Sequence, residues 1–289
     1  MREGGEIIRD EFVLRSLHRG VRFAVDVHFK REGAGKPLVI FVHGFKGFKD
    51  WGPFNVMAKR FVQEGFVFLK LNLSHNGTTV ERPEDFVDLE AFAQNNFSIE
   101  LDDLTVLIEH LFSSKERSFA KECDLKKIYL LGHSRGGSIA ILKACEDKRI
   151  SALSSWAAVS DYTLLWSLKE IERWKKKGVI YILSSRTGQR MPLYYQMCED
   201  FYKNRRRLDI SKAICSLTVP LFLAHAKDDL SVPVRMACDL KKWYKRSELL
   251  LLEEGGHALG AKHPYEENFL PVPLDRVVQE TIRFFKNAG

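Results

Sequence analysis

No apolar run in this sequence reaches the roughly 18 residues that a membrane-spanning helix needs, so no membrane span is expected. The opening stretch, MREGGEIIRDEF, is charged and has no apolar h-region, so no secretory leader is expected either. Cysteine is sparse. The five residues, Cys123, Cys145, Cys198, Cys215 and Cys238, are scattered, odd in number and include no C-x-x-C pair. That pattern argues against a disulfide framework or a zinc site and suits reduced thiols in the cytoplasm. Internal repeats and low-complexity tracts are also lacking, which excludes solenoid and compositionally disordered classes.

What is present is an ordinary soluble globular composition, 45% hydrophobic and 29% charged. A length of 289 residues suits one α/β layer protein with a large core. The net charge is +7, a basic balance that suits nucleic acid, an anionic membrane or an acidic substrate, or solubility alone. Most of it sits in residues 161–211, with eleven Lys/Arg against six Asp/Glu. The runs Arg205-Arg206-Arg207 and Lys175-Lys176-Lys177 read as solvated helix faces, so no nucleic-acid partner is expected.

Apolar patterning gives the order of elements. EFVLRSL (11–17) and VRFAVDVHF (21–29) flank the turn His18-Arg19-Gly20 and read as an antiparallel pair. PLVIFVHG (37–44) is a continuous apolar run of the kind buried on both faces. A helix is expected over 53–64, a strand over 66–73, an acidic loop over 84–94 and a helix over 98–112. Strands then follow at 126–132, 152–159, 219–226 and 248–253, with helices at 135–146, 233–243 and 274–286. This alternation predicts a mostly parallel sheet with helices on both faces. Residues 161–211 break the rhythm. They are rich in Trp and Tyr and contain VIYILSSRTGQRMPLYY, which reads as a hairpin turning near Arg186-Thr187-Gly188. An insertion at that place in a sheet is where a lid is expected, the plain alternative being extra surface structure.

The stretch IYLLGHSRGGSIAI (128–141) puts one serine between glycines directly after an apolar strand. Gly132-His133-Ser134-Arg135-Gly136 matches G-x-S-x-G, a tight strand-to-helix turn that lifts the Ser134 hydroxyl clear of the sheet at a helix N-terminus. A nucleophilic serine needs a base, and the base an orienting acid. Lys227-Asp228-Asp229 follows one later strand and Glu254-Gly255-Gly256-His257 the next. The order Ser134, Asp229, His257 results, with Asp228 and Asp161 as rival acids. Taken singly, Asp229 also reads as a helix cap and His257 as a loop histidine. An oxyanion would need two N–H donors, assigned to Arg135 and to Phe45 in His43-Gly44-Phe45. Ser138 lies one turn along the helix and is expected to face away; His225 reads as packing and His263 as loop.

Through HGFKGFKDW (43–51), GHSRGG (132–137), HAKDDLSVP (225–233) and GGHALG (255–260), nearly the whole chain resembles the α/β-hydrolase superfamily, notably its esterase/lipase-like, serine-aminopeptidase-like and cinnamoyl-esterase-like branch. The family's acid motif, H-G-x-x-D-x-x-V-P, has Ala226 here as its second residue, and counting back from Val232-Pro233 lands on Asp229. The resemblance implies a mostly parallel eight-stranded sheet, a core of 1–160 and 212–289, and a cap over 161–211. It implies a carboxylesterase acting on small-molecule esters, aromatic acyl esters among them, with no cofactor and no metal. Peptidase and thioesterase use of the same residues is the alternative; a binding module that lost its chemistry is another. His43, Gly44 and His133 are candidate substrate contacts. NLSHNG (72–77), read as following the strand beside that of Ser134, adds His75 and Asn76, which read equally well as an Asn-Gly turn. The oligomeric state is not legible, and a homodimer stays open.

Overall fold

The computed structural model describes residues 5–113, 118–184 and 186–288; the first four residues of the charged opening stretch lie outside them. In chain order the first half holds β1 (Ile8–Arg15), β2 (Arg22–Phe29), β3 (Lys36–Val42), α1 (Phe54–Gln63), β4 (Val67–Leu71), α2 (Leu89–Ala93), α3 (Phe97–Ser113), β5 (Cys123–His133), α4 (Arg135–Glu146) and β6 (Ile150–Trp156). The second holds α5 (Leu168–Lys177), β7 (Val179–Leu183), β8 (Arg190–Tyr194), α6 (Gln196–Lys203), α7 (Ile210–Cys215), β9 (Leu221–Ala226), α8 (Arg235–Trp243), β10 (Glu248–Leu252) and α9 (Val272–Asn287).

Eight strands form one sheet in the order β1-β2-β4-β3-β5-β6-β9-β10. β1 and β2 pair antiparallel, as do β2 and β4, and the remaining pairs are parallel. Alternation along the central strands explains the two covered faces. Leu38, Ile40 and Val42 of β3 point to one core with Leu104 and Ile108 of α3 and Ile139 of α4. Val39 and Phe41 point to the other, with Met57 and Phe61 of α1 and Val277, Val278 and Phe285 of α9.

Two local readings need correction. The acidic stretch 84–94 is not all loop: α2 starts where the Asp88 carboxylate accepts the Ala91 N–H at 2.9 Å. And β4 does not lie beside β5, because β3 stands between them.

Residues 161–211 leave the sheet. α5 starts with a reciprocal Ser167–Glu170 capping box and stops at Gly178, whose φ of 73° suits glycine. β7 and β8 pair antiparallel as their own two-stranded sheet, with the turn at 186–188. Trp174 is fully buried, and its indole N–H donates to the Leu193 carbonyl at 2.9 Å, pinning α5 to the hairpin. The sequence-derived edge at 211 falls inside α7.

Candidate active site

Ser134 sits between β5 and α4 with φ 57° and ψ −126°. A non-glycine residue at positive φ is uncommon, and the surroundings over-determine it. Its N–H donates to the Trp156 carbonyl at 2.8 Å. The helix passes so close to β3 that a Cβ on Gly136 would lie 2.3 Å from the Val42 carbonyl oxygen. The Ser134 side chain makes no cap bond to its own helix. Instead Oγ lies 2.9 Å from His257 Nε2.

His257 Nδ1 is 2.8 Å from Asp229 Oδ2. An ionised carboxylate only accepts, so Nδ1 carries the proton and Nε2 is left to accept from the serine hydroxyl. The other oxygen of Asp229 accepts the N–H groups of Ser231 and Val232 at 2.8 and 2.9 Å. Asp229 is thus not the helix cap, since Val234 holds that position of α8; one of its oxygens closes the 229–232 turn and the other faces His257. Burial opposes ionisation of Asp229, but hydrogen bonds from His225, His257 and the Val232 N–H prevail and hold its carboxyl well below the ordinary range.

The rivals for the acid are engaged elsewhere. Asp228 accepts the N–H groups of Gly255 and Gly256 at 3.2 and 2.8 Å, bracing the loop that carries His257. Asp161 caps the short 3-10 turn Tyr162–Leu164 by accepting the Thr163 N–H at 2.8 Å. Ser138 points away, donating to the Val159 carbonyl at 2.6 Å. His225 is more than packing. Its Nε2 lies 2.8 Å from the Val232 carbonyl and 3.3 Å from Asp229 Oδ2. Both are acceptors, so that nitrogen carries a proton shared between them. His263 lies on the loop between β10 and α9 and is packed there: Nδ1 accepts the Gly52 N–H at 3.0 Å, and the ring meets Phe48 edge-on.

Two further histidines frame the site. His133 Nε2 is 2.8 Å from the His257 carbonyl, and burial lowers its pKa to about 3, so it stays neutral and donates there. Burial likewise lowers His43 to about 4. Its Nδ1 faces the Gly44 carbonyl at 2.8 Å and its Nε2 accepts the Leu73 N–H at 3.2 Å, which fixes the tautomer.

Phe45 lines the same cavity as Ser134 and Arg135 follows Ser134 in the chain; neither backbone N–H has a protein acceptor among the described residues. The Arg135 side chain turns inward. Its guanidinium lies 3.9 Å from the Phe45 ring centroid and 3.3 Å from Glu100 Oε1. The far end of the Phe45 segment is held by a buried charge cluster. Lys49 contacts Asp50 at 2.6 Å, Lys70 contacts Asp26 at 2.7 Å, and Lys70 also pairs with Asp50. Burial works against the Asp50 charge, but the two lysines outweigh it and hold its carboxyl well below the ordinary range. The sequence reading missed this cluster. Its signal was Lys70 and Asp26 in otherwise apolar strands.

A cavity of about 240 Å³ opens at Ser134. His43, Gly44, Phe45, His133 and His257 line it, with Trp51, Phe54 and Phe86 as apolar walls. Lys46 and, from the β7–β8 hairpin, Ser184 and Arg186 complete it. His75 and Asn76 are elsewhere, because β3 separates their strand from β5. His75 is buried beside a different cleft with His18 and Arg19, its Nδ1 2.6 Å from Ser74 Oγ. Asn76 is a loop strut between the Gly47 carbonyl and Thr78.

No protein-family model and no curated protein matches the sequence. Solved structures do match in fold. Est1E from Butyrivibrio proteoclasticus is 16% identical with a TM-score of 0.66, covering 96% of this chain and 98% of its own. A dienelactone hydrolase from Anabaena variabilis is 16% identical with a TM-score of 0.61, covering 96% and 98%. The esterase domain of a Rhodothermus marinus protein is 17% identical with a TM-score of 0.58, covering 87% and 90%. The chain therefore has the α/β-hydrolase fold, with its serine turn at the end of β5.

Proposed function

We propose that the protein is a serine hydrolase of carboxylic esters. The observation that carries this reading is the hydrogen-bonded line from Ser134 Oγ through His257 to Asp229 Oδ2, at 2.9 and 2.8 Å. In this mechanism Ser134 Oγ attacks the ester carbonyl as His257 Nε2 takes its proton. Asp229 holds the ring and stabilises the imidazolium. The N–H groups of Phe45 and Arg135 meet the oxyanion. The ester C–O bond breaks, and the alcohol leaves with the proton from His257. Water, deprotonated by His257, then attacks the acyl-enzyme and releases the carboxylic acid and Ser134.

His43, Gly44 and His133 belong to the cavity wall, with His43 and His133 as neutral positioning groups. The body of the enzyme is the eight-stranded sheet with its covering helices, α7 included, and the insertion ahead of α7, from residue 161, is a cap whose hairpin roofs the cavity through Ser184 and Arg186. Three aromatic walls favour an aromatic ester. In keeping with that, one structure of Est1E holds ferulic acid, an aromatic acid.

The test is covalent labelling with a fluorophosphonate, mapped by peptide mass, followed by turnover of ester and amide panels. Labelling at Ser134, lost in Ser134→Ala with the fold kept, supports the reading. A folded protein that neither labels nor hydrolyses any ester refutes it, and amide turnover above ester turnover would make it a peptidase.

A further inference from the structure

The cavity at Ser134 has an uneven charge lining. Two of its residues are cations, Lys46 and Arg186, and no carboxylate lines it among the described residues. Several shielded cations elsewhere face acids: Lys49 and Lys70 face Asp26 and Asp50, Arg135 faces Glu100, and Arg207 faces Asp102 and Glu146. Lys46 and Arg186 have no such acid among the described residues, although both line the cavity of Ser134.

Each is held by neutral groups instead. Lys46 Nζ donates to the Leu183 carbonyl at 3.2 Å, tying the segment after β3 to the hairpin. Arg186 Nη2 donates to the Glu84 carbonyl at 2.7 Å. Its guanidinium carbon lies 5.2 and 5.3 Å from the ring centroids of Phe48 and Phe86. These rings hold the guanidinium by cation–π attraction without neutralising it. Arg186 Nε is shut off from solvent and has no acceptor among the described residues. Burial lowers the Lys46 pKa, as expected for an ammonium that loses water without gaining an anion.

A cation with no acid partner, set in the wall of a nucleophile's cavity, is a recognition element for an anion. We infer that Lys46 and Arg186 select an ester that carries a negatively charged group, a carboxylate in the simplest case, and seat that group under the hairpin while Ser134 attacks the ester. This rests on the hydrolase reading and narrows it to a substrate class. The two cations come from separate elements, the segment after β3 and the hairpin, so the anion would also bridge body and cap. The reaction is unchanged in its balance: ester and water give alcohol and acid, and the second anionic group passes through unaltered.

The experiment uses two matched pairs of para-substituted esters. On the alcohol side, para-acetoxybenzoate is compared with para-acetoxyacetophenone. On the acyl side, monomethyl terephthalate is compared with methyl para-acetylbenzoate. The acetyl group withdraws electrons more strongly than the carboxylate, so intrinsic reactivity favours the neutral member, and a reversed preference must come from binding. The expected kcat/KM for the carboxylate member of at least one pair is about 10-fold or more above its neutral partner, as for one charge-assisted contact. That preference shrinks as salt is raised. It disappears in Arg186→Gln and in Lys46→Gln/Arg186→Gln, with the carboxylate ester losing far more than the neutral one. Neutral esters preferred in both pairs, or a preference untouched by the double variant, overturns the inference while leaving the hydrolase reading standing. No turnover of any ester, together with no fluorophosphonate labelling of Ser134, takes down both.

Discussion

The Arg135 guanidinium lies 3.9 Å from the ring centroid of Phe45, so the two residues proposed as oxyanion donors are also clamped together through their side chains. Glu100 holds the outer side of the guanidinium at 3.3 Å and is itself fixed by Asn95 Nδ2 at 2.8 Å. Burial raises the Glu100 pKa, against the opposing pull of Arg135. Arg135→Met therefore leaves a buried carboxyl without its cation and frees the Phe45 segment. The expected stability loss is about 3 kcal/mol by urea unfolding. The expected fall in kcat on a neutral ester is about 10- to 100-fold, as donor alignment is lost. Adding Glu100→Gln recovers stability but not kcat. Full turnover in Arg135→Met would detach the clamp from the site.

Asp228 and Asp229 are neighbours in sequence with divided duties. Asp229 faces His257 Nδ1, whereas Asp228 accepts the Gly255 and Gly256 N–H groups. Asp229→Asn replaces an acceptor by an amide that cannot hold the same tautomer, and kcat is expected to fall about 10⁴-fold. Asp228→Asn keeps an oxygen for the loop N–H groups, so its kcat is expected within about 10-fold of the parent. Equal losses in the two variants would undo this division.

Most of the site was legible because each of its residues follows its own strand. Ser134, Asp229 and His257 fall on turns after β5, β9 and β10, and turns announce themselves through glycine and polar residues even in a lone sequence. Strand order does not announce itself. His75 and Asn76 follow β4, which pairs with β3 and β2 and not with β5, and so they miss the cavity. Charges that meet only in the fold were equally silent. Asp26 and Lys70 lie 44 positions apart and become one buried pair through the register of β2 on β4. Helix α2 was hidden by its length. Five residues give no periodicity, and the capping contact of Asp88 is what defines its start.

Four buried histidines make the fold acid-labile in a definite window. Burial is the leading cause in each, lowering His28 and His133 to about 3 and His43 and His75 to about 4. Their folded values lie below the unfolded value of about 6.5, so protonation favours the unfolded chain. They cost nothing above pH ~6.5, and stability drains as pH falls from there toward ~3. Asp103 acts oppositely: burial raises it to about 6, so the folded state holds one proton that the unfolded state loses. The four histidines outweigh Asp103, so unfolding takes up protons near pH 5; Glu100, which burial also raises, trims that uptake, and His263, which burial lowers, adds to it. Urea unfolding across pH 7 to 5 measures that slope. A flat profile would mean that these rings are solvated in the folded protein.

Gly44 is a position beside Ser134 where the site has no room for a side chain. A Cβ there would lie 2.9 Å from Ser134 Cβ, 3.2 Å from the His133 carbonyl oxygen and 3.4 Å from Ser134 Oγ. One side of this contact is rigid. Ser134 is tied through its N–H to the Trp156 carbonyl, and α4 is wedged against β3 at Gly136. The strain of Gly44→Ala is therefore relieved on the other side, by displacement of the segment that carries Phe45. In the proposed mechanism that shift carries one oxyanion donor away from the reacting carbonyl. A displacement of about 1 Å suffices to lower kcat by about 100-fold. The nucleophile, its base and the acid are untouched, so Ser134 remains able to react with a fluorophosphonate, more slowly because that adduct also develops charge on oxygen. The stability loss is expected to stay near 1–2 kcal/mol, since the substitution crowds one turn and leaves both cores intact. Slow labelling with low kcat and near-parental unfolding is the expected combination. Parental kcat in Gly44→Ala would show that the segment gives way without moving the Phe45 N–H, and the donor would have to be sought elsewhere on the loop.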